Sequence, residues 1–306
     1  MSDSLLQALQ TELGPRARAD EPLSRHTSFR IGGPADVWVE VDDVAEIGRV
    51  VTLVRGSGVP LFVLGGGTNV LVSDRGVRGV VVHLGRSFAT ASWCAGENET
   101  RVHCGAAMPF KKLVLESIDR GLAGLEFAEG IPGWVGGGLL MNAGAFGGEI
   151  AEVVTYVDGV DAEGSSVRIP RDQLRFSYRH FDLPPHFIVT HVGFRLVGDD
   201  REAVLARRAD ARRRRLARQP LGHPNAGSVF KNPPGAYAGR LIESVGLKGR
   251  RIGNAQISPA HANFIVNLGG ATAADVRALM DEAVEAVAAA RGARLDAEIK
   301  LVGDWG

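Results

Sequence analysis

Apolar and polar positions along this chain shift repeatedly between the two-residue rhythm of half-buried strands and the longer rhythm of amphipathic helices. Residues 36 to 41 (DVWVEV) and 61 to 64 (LFVL) read as strands with a helix near residues 43 to 56 between them, and residues 70 to 73 and 77 to 84 continue in β-rich composition. A hairpin is predicted over residues 88 to 105, turning at Glu97, Asn98 and Glu99. A helix follows near residues 109 to 120, then strands at 153 to 160, 166 to 169 and 187 to 197. The antiparallel pairs this implies, without the regular strand-helix alternation of a doubly wound sheet, give the fold class α+β.

Residues 201 to 218 (REAVLARRADARRRRLAR) break this pattern with eight arginines against Glu202 and Asp210, at high helical propensity, and should stop at Gln219 and Pro220. The shift predicts a domain boundary near residue 200: a first domain of residues 1 to 200, with subdomains of about 20 to 80 and 81 to 200, and a second of residues 201 to 306. In the second, residues 235 to 246 suggest a helix and 262 to 267 a strand. Residues 273 to 291 make a helix opened by Thr272 with Asp275 three residues on, lined by Val276, Leu279, Met280, Val284 and Val287, and closed by Gly292. In the final LDAEIKLV, Leu295, Ile299 and Leu301 fall on one strand face and Asp296, Glu298 and Lys300 on the other.

Composition alters this picture in one respect: 40 of 306 residues are glycine, nearly double the average usage of roughly 7%. Balanced charge, 35 Lys and Arg against 35 Asp and Glu, argues against a polyanion partner and against disorder. Cys94 and Cys104 cannot make a disulfide framework, though they flank the predicted hairpin turn, and no Cys/His cluster has metal-site spacing, so no metal is expected. The first 22 residues lack a signal-peptide core and open with a short amphipathic helix ending near Gly14 and Pro15, and the expectation is a cytoplasmic monomer that binds neither membrane nor nucleic acid. Residues 130 to 148 carry no charged side chain, but eight glycines and Pro132 make them a poor spanning helix and a better buried backbone surface.

That stretch, GIPGWVGGGLLMNAGAFGGE, and the earlier LGGGTNVLVSD at residues 64 to 74 are where chemistry is expected. Glycines directly after an apolar strand let backbone N–H groups approach a ligand closely, and Thr68 and Asn69 add side-chain donors that suit a pyrophosphate. A tight structural turn is the plain alternative. The spacing is not G-x-G-x-x-G, the following Val70, Leu71 and Val72 are β-formers, and no Walker A motif occurs, so neither common nucleotide motif applies. Two such clusters in one domain point to an extended nucleotide cofactor held mainly by main chain.

Seven segments carry a resemblance: TSFRIGGPAD (27 to 36), LGGGTNVLVSD, GIPGWVGGGLLMNAGAFGGE, FSYRHF (176 to 181), NAGSVFKNPPG (225 to 235), AGRLIESVGLKGRRIGNAQISPAHANFIVN (238 to 267) and LDAEIKLVG (295 to 303). In this order, from about residue 20 onward, they resemble the UDP-N-acetylenolpyruvoylglucosamine reductase (MurB) family. The resemblance implies an FAD-binding fold of the vanillyl-alcohol oxidase (PCMH) type, then a C-terminal α+β substrate-binding domain whose final strand returns a glutamate to the active site. It implies FAD, NADPH as reductant, and reduction of the enolpyruvyl ether of UDP-N-acetylglucosamine to UDP-N-acetylmuramate in peptidoglycan precursor synthesis. The cofactor-binding residues it implies are Arg30, Gly65, Gly66, Gly67, Thr68, Asn69, Gly130, Ile131, Pro132, Gly133, Gly137, Asn142, Ala143 and Gly144.

The reaction delivers a hydride to the terminal methylene carbon and leaves an enolate that needs stabilisation and a proton at the alpha carbon. By resemblance the proton donor is Ser228 and the enolate stabilisers are Arg179 and Glu298, the glutamate with a raised pKa or holding a donor in place. Tyr178, Lys231 and Asn232 are the implied substrate contacts. Taken alone, Ser228 is a loop serine, Arg179 a surface arginine and Glu298 a solvated carboxylate. Only 48 residues separate Arg179 from Ser228, which resembles the shorter family type lacking a substrate-covering tyrosine loop. Two other readings compete. Another FAD-dependent oxidase or dehydrogenase on the same fold leaves NAGSVFKNPPG and LDAEIK unexplained, and a nucleic-acid surface on the arginine run lacks interleaved aromatics. That run is read as a solvated interdomain helix with one or two arginines facing substrate phosphates.

Overall fold

A computed structural model describes residues 3 to 216 and 222 to 306, in two compact units; the helix stop expected at Gln219 and Pro220 lies outside the described residues. The first unit comprises Met1–Ala19, Val37–Gly66 and Gly79–Arg215, and the second Asp20–Asp36, Gly67–Arg78 and Leu216–Gly306. A single boundary at residue 200 does not describe this division.

In the first unit, α1 (Asp3–Leu13) precedes α2 (Val44–Ser57), whose Ile47, Val50, Val51 and Val54 recur at helical spacing and are buried. Asp43 caps α2 by accepting from Glu46 N at 2.7 Å, and Gly58 ends it at φ 67°. Strands Ala17–Pro22, Pro34–Val41, Val77–Leu84 and Leu61–Val63 lie in that order, the last two parallel with Phe62 beside Val81. A second, antiparallel sheet runs in the order Ser166–Pro170, Val154–Val160, Ile188–Gly198, Thr100–Gly105 and Ala91–Ala95. The helices α3 (Phe110–Asp119) and α4 (Val135–Leu140) contribute Phe110, Leu113, Val114, Val135 and Leu139 to the apolar core beside these sheets. The uncharged stretch therefore holds one short helix, and no helix among the described residues is long and apolar enough to cross a membrane.

The arginine-rich helix α5 (Arg201–Leu216) buries only Val204 and Ala211, so apolar burial alone would hold it weakly. Charge does the rest: Arg207 pairs with Glu126 at 2.8 Å and Asp199 at 2.6 Å, and Arg208 with the buried Glu129 at 2.9 Å. The helix is largely exposed, as expected of a solvated one, and these pairs explain why residues 201 to 215 stay with the first unit. The two cysteines do lie on the two strands of the hairpin, but not opposite each other. Cys94 stands opposite Arg101 and Cys104 opposite Ala91, an odd number of residues apart in register, which leaves Cys94 exposed and Cys104 buried.

The second unit packs α6 (Ala238–Ser244) and α7 (Ala273–Arg291) with strands Arg251–Ile252, Ala255–Ile257 and Ile265–Asn267. The caps expected for α7 are present: Thr272 and Asp275 form a reciprocal capping box, and Gly292 takes φ 60°. Asp74 adds a third anchor, accepting from Ala273 N at 2.8 Å and Ala274 N at 3.0 Å. Val70–Val72 pairs in parallel with Lys300–Val302, shorter than the expected C-terminal strand because residues before Lys300 bond elsewhere.

Candidate active site

In the first unit the two glycine clusters meet. Leu64 is fixed by its N–H to Val82 O at 2.9 Å, and its carbonyl lies 2.8 Å from Nδ1 of His83, whose ring sits 4.7 Å from both the Trp38 and Trp134 rings. A Cβ added to Gly66 would stand 3.1 Å from Gly133 Cα and 3.3 Å from Trp134 Cδ1, so backbone passes against backbone there. Gly130 and Gly133 adopt φ 74° and 97°, conformations that favour glycine. Along α4 the glycines divide by role. Gly136 would meet Ala106 at 3.0 Å and Gly138 the Phe110 ring at 2.9 Å, so packing requires both. Gly137 faces open space at an ordinary φ, so nothing in the protein requires glycine there. A bare backbone face beside the Gly65 and Gly66 loop fits an extended flat ligand such as FAD.

Asn142 and its neighbours do different work. Asn142 is 1% exposed, donates through Nδ2 to Ser177 O at 3.2 Å and accepts at Oδ1 from Ala151 N at 3.2 Å. Both ends of its side-chain amide are thus hydrogen-bonded within the protein. Ser177 belongs to a hairpin of Phe176–Ser177 and His180–Phe181, with Tyr178 and Arg179 as its two-residue tip. Arg179 takes φ 55°, a conformation uncommon outside glycine, and its Nη2 donates to Gly144 O at 3.0 Å. Tyr178 is half-exposed, with the Arg179 guanidinium 5.1 Å from its ring. Ile131 and Ala143 pack into or against the core, and Pro132 is exposed.

A second guanidinium belongs to this neighbourhood. Arg215 donates through Nε to Glu129 O at 3.0 Å and lies 5.7 Å from the Phe146 ring. Its pKa is lowered, by burial above all, with Glu129 opposing and the positive charge of Arg179 reinforcing. Sequence reasoning reached the arginine run without singling out Arg215, because nothing local distinguishes it from its neighbours.

The second unit contains the remaining expected residues. Arg30, exposed at φ 55°, lies within a turn closed by the buried Thr27 hydroxyl, which donates to Ile31 O at 2.9 Å. Gly67 takes φ 61°, its carbonyl accepts from Ser28 N at 3.0 Å, and Thr68 is half-buried beside it. Asn69 donates through Nδ2 to Glu298 O at 3.1 Å while its own carbonyl accepts from Lys300 N at 2.9 Å, which fastens the Glu298 segment from one side. On the other side Glu298 N donates to Val229 O at 2.8 Å, Phe230 bridges Ala297, and Lys231 N donates to Asp296 O at 2.8 Å. Ser228 and Glu298, both half-buried, are therefore carried on neighbouring backbone. The expected alternation holds, with Leu295 and Ile299 buried and Asp296 and Lys300 exposed, although the chain before Lys300 is tied to residues 229 to 231 instead of a long ladder. Asn232 is exposed and caps α6 by accepting from Ala238 N at 3.0 Å, and Lys231 is half-buried. No group of three or more metal-ligating side chains occurs among the described residues.

Comparison with known proteins gives the same picture. Residues 35 to 170 match an FAD binding domain, and residues 219 to 302 match the UDP-N-acetylenolpyruvoylglucosamine reductase C-terminal domain. A UDP-N-acetylenolpyruvoylglucosamine reductase from Symbiobacterium thermophilum is 49% identical over 292 residues, 95% of this chain and 92% of that protein. The crystal structure of the enzyme from Thermus caldophilus aligns with a TM-score of 0.79 at 38% identity, covering 92% of this chain and 97% of that one. A VAO-type flavoprotein from Myceliophthora thermophila shares the fold alone, with a TM-score of 0.51 at 11% identity over 65% of this chain and 48% of that one.

Proposed function

Since the chain belongs to the UDP-N-acetylenolpyruvoylglucosamine reductase family and carries an FAD-binding domain, we propose that it uses NADPH to reduce the enolpyruvyl ether of UDP-N-acetylglucosamine to UDP-N-acetylmuramate. Bound FAD would supply the hydride that adds to the methylene carbon of the enolpyruvyl group. The double-bond electrons move onto the alpha carbon and carboxylate, and Ser228 Oγ gives its proton to the alpha carbon before recovering one from solvent. Arg179 offers the enolate carboxylate a forked set of donors, and Glu298 acts protonated or by holding a donor against the same charge. Tyr178, Lys231 and Asn232 hold the substrate, and Arg215, beside Arg179, adds charge for its anionic groups. The main-chain surface at Gly65, Gly66, Gly133 and Gly137 suits the cofactor, to which Arg30, Gly67, Thr68 and Asn69 contribute. We take the working form to be a cytoplasmic monomer.

The observation that carries this reading is the pair of backbone attachments on the Glu298 segment. One ties Glu298 N to Val229, the residue after Ser228, and the other ties Glu298 O to Asn69. Both bonds engage the Glu298 backbone and hold it next to the backbone of the Ser228 loop, which supports a joint role for the two residues. The test is steady-state turnover of the yellow, FAD-loaded protein. NADPH oxidation should accelerate only when UDP-N-acetylglucosamine enolpyruvate is present, with one reduced ether formed per NADPH. Oxidation indifferent to that substrate would refute the proposal.

A further inference from the structure

The Ser228 loop is gripped from a direction that no catalytic reading of the sequence anticipates. Asn263, 3% exposed just before the Ile265–Asn267 strand, accepts at Oδ1 from Phe230 N at 3.0 Å and donates through Nδ2 to Phe230 O at 2.8 Å. Its own carbonyl accepts from Val229 N at 2.8 Å. One residue thus makes three hydrogen bonds to the two residues that follow Ser228. Both amide bonds form in one orientation of the side chain only, since a flipped amide would set donor against donor and acceptor against acceptor. Phe230 is 2% exposed, so its N–H and C=O have little recourse to water.

The far side of the same segment carries Glu298: Val229 O accepts from Glu298 N at 2.8 Å and Lys231 N donates to Asp296 O at 2.8 Å. Residues 229 to 231 are therefore the middle of three adjacent backbones, with Asn263 on one side and the Glu298 segment on the other. Asn263 is itself held by backbone and ring contacts: its N–H donates to His261 Nδ1 at 3.2 Å, and the His261 and Phe264 rings meet edge to face at 5.0 Å.

We infer that Asn263 is the positioning residue of the proton-transfer step, fixing through Val229 and Phe230 both where the Ser228 hydroxyl stands and where Glu298 stands relative to it. The inference rests on Ser228 being the proton donor. A group that must reach one carbon atom within hydrogen-bond range tolerates little drift, and displacement by about 1 Å costs rate on the order of 10²-fold. Asn263→Asp keeps an acceptor for Phe230 N–H but sets a carboxylate oxygen against Phe230 C=O, and Asn263→Ala removes both partners.

The experiment compares the two half-reactions of the FAD-loaded enzyme by anaerobic stopped flow, with Ser228→Ala in parallel. In Asn263→Asp, flavin reduction by NADPH should stay within about twofold of wild type. Flavin reoxidation by the enolpyruvyl substrate should slow by about 10- to 100-fold, with substrate affinity little changed. Combining Ser228→Ala with Asn263→Asp should slow reoxidation no further than Ser228→Ala alone. Amide hydrogen exchange supplies a readout independent of turnover: the peptide covering residues 229 to 231 should exchange faster in Asn263→Ala, and the aspartate variant serves if the alanine variant does not fold. Equal slowing of both half-reactions marks a general structural role and overturns the inference. So does unchanged reoxidation in Asn263→Asp when Ser228→Ala is slow. Fast reoxidation by Ser228→Ala instead removes the proton-donor reading, and the inference falls with it.

Discussion

Replacing Asn142 by alanine separates two roles for a residue that motif reasoning assigns to the cofactor and the structure assigns to the Arg179 hairpin. The amide accepts from Ala151 N and donates to Ser177 O, at 3.2 Å each, in a residue 1% exposed with φ 39°. Ala151 is 7% exposed, so its orphaned N–H costs about 1–3 kcal/mol. The exposed Ser177 carbonyl rehydrates at little cost, and forcing alanine into a left-handed conformation that asparagine tolerates adds about 1 kcal/mol. The expected loss is about 2–4 kcal/mol, and Asn142→Asp is no milder, because it keeps the acceptor for Ala151 N but sets a buried carboxylate oxygen against the Ser177 carbonyl. Urea unfolding followed by tryptophan fluorescence is a suitable assay, since Trp38, Trp93 and Trp134 report on the first unit and Trp305 on the second. Run across a range of FAD concentrations, a structural role gives the same loss at every concentration, whereas a lost cofactor contact gives a loss that grows with FAD. A deficit that vanishes as FAD is withdrawn would show the reasoning to be wrong.

Gly137→Leu should leave the FAD-free protein as stable as wild type or slightly more so, since the position is helical and open. It should weaken FAD binding by about tenfold or more, read by flavin fluorescence titration; undiminished affinity would remove the cofactor from that face. His191 stacks on His103 with ring centroids 4.3 Å apart, and its pKa is lowered by burial and then by the His103 charge, against a smaller opposing pull from Asp158. The unfolded chain therefore takes up this proton first as pH falls below the ordinary imidazole value of about 6.5, and stability drops from there downward, by at most about 1.4 kcal/mol per pH unit. His191→Phe should flatten that slope between about pH 7 and pH 5 in unfolding titrations, and an unaltered slope would place the proton uptake elsewhere.

Local signals were legible in the sequence. The ends of α7 follow from Thr272, Asp275 and Gly292, whose effects act within one turn, and the two glycine clusters announce close backbone approach wherever it occurs. What each glycine approaches was less legible. Gly66 faces Gly133 across 67 residues of chain, whereas Gly136 and Gly138 make room only for Ala106 and Phe110. The division of the chain was hidden too, since residues 20 to 36 and 67 to 78 join the second unit without a change in composition. Ion pairs from Arg207 and Arg208 to acids some 80 residues earlier keep α5 with the first unit, where its composition alone suggested a helix between domains. Asn263 lies inside a quoted motif, yet its hydrogen bonds to Phe230 cross 33 residues and leave no periodic trace.

The role proposed for Ser228 is delivery of the proton that completes reduction of the enolpyruvyl ether. It is tested most directly by mixing NADPH-reduced, FAD-loaded Ser228→Ala with UDP-N-acetylglucosamine enolpyruvate under anaerobic conditions and following flavin reoxidation. Flavin reduction should match wild type and reoxidation should slow by about 10²–10⁴-fold, as loss of a general acid requires. Reoxidation at the wild-type rate would contradict it.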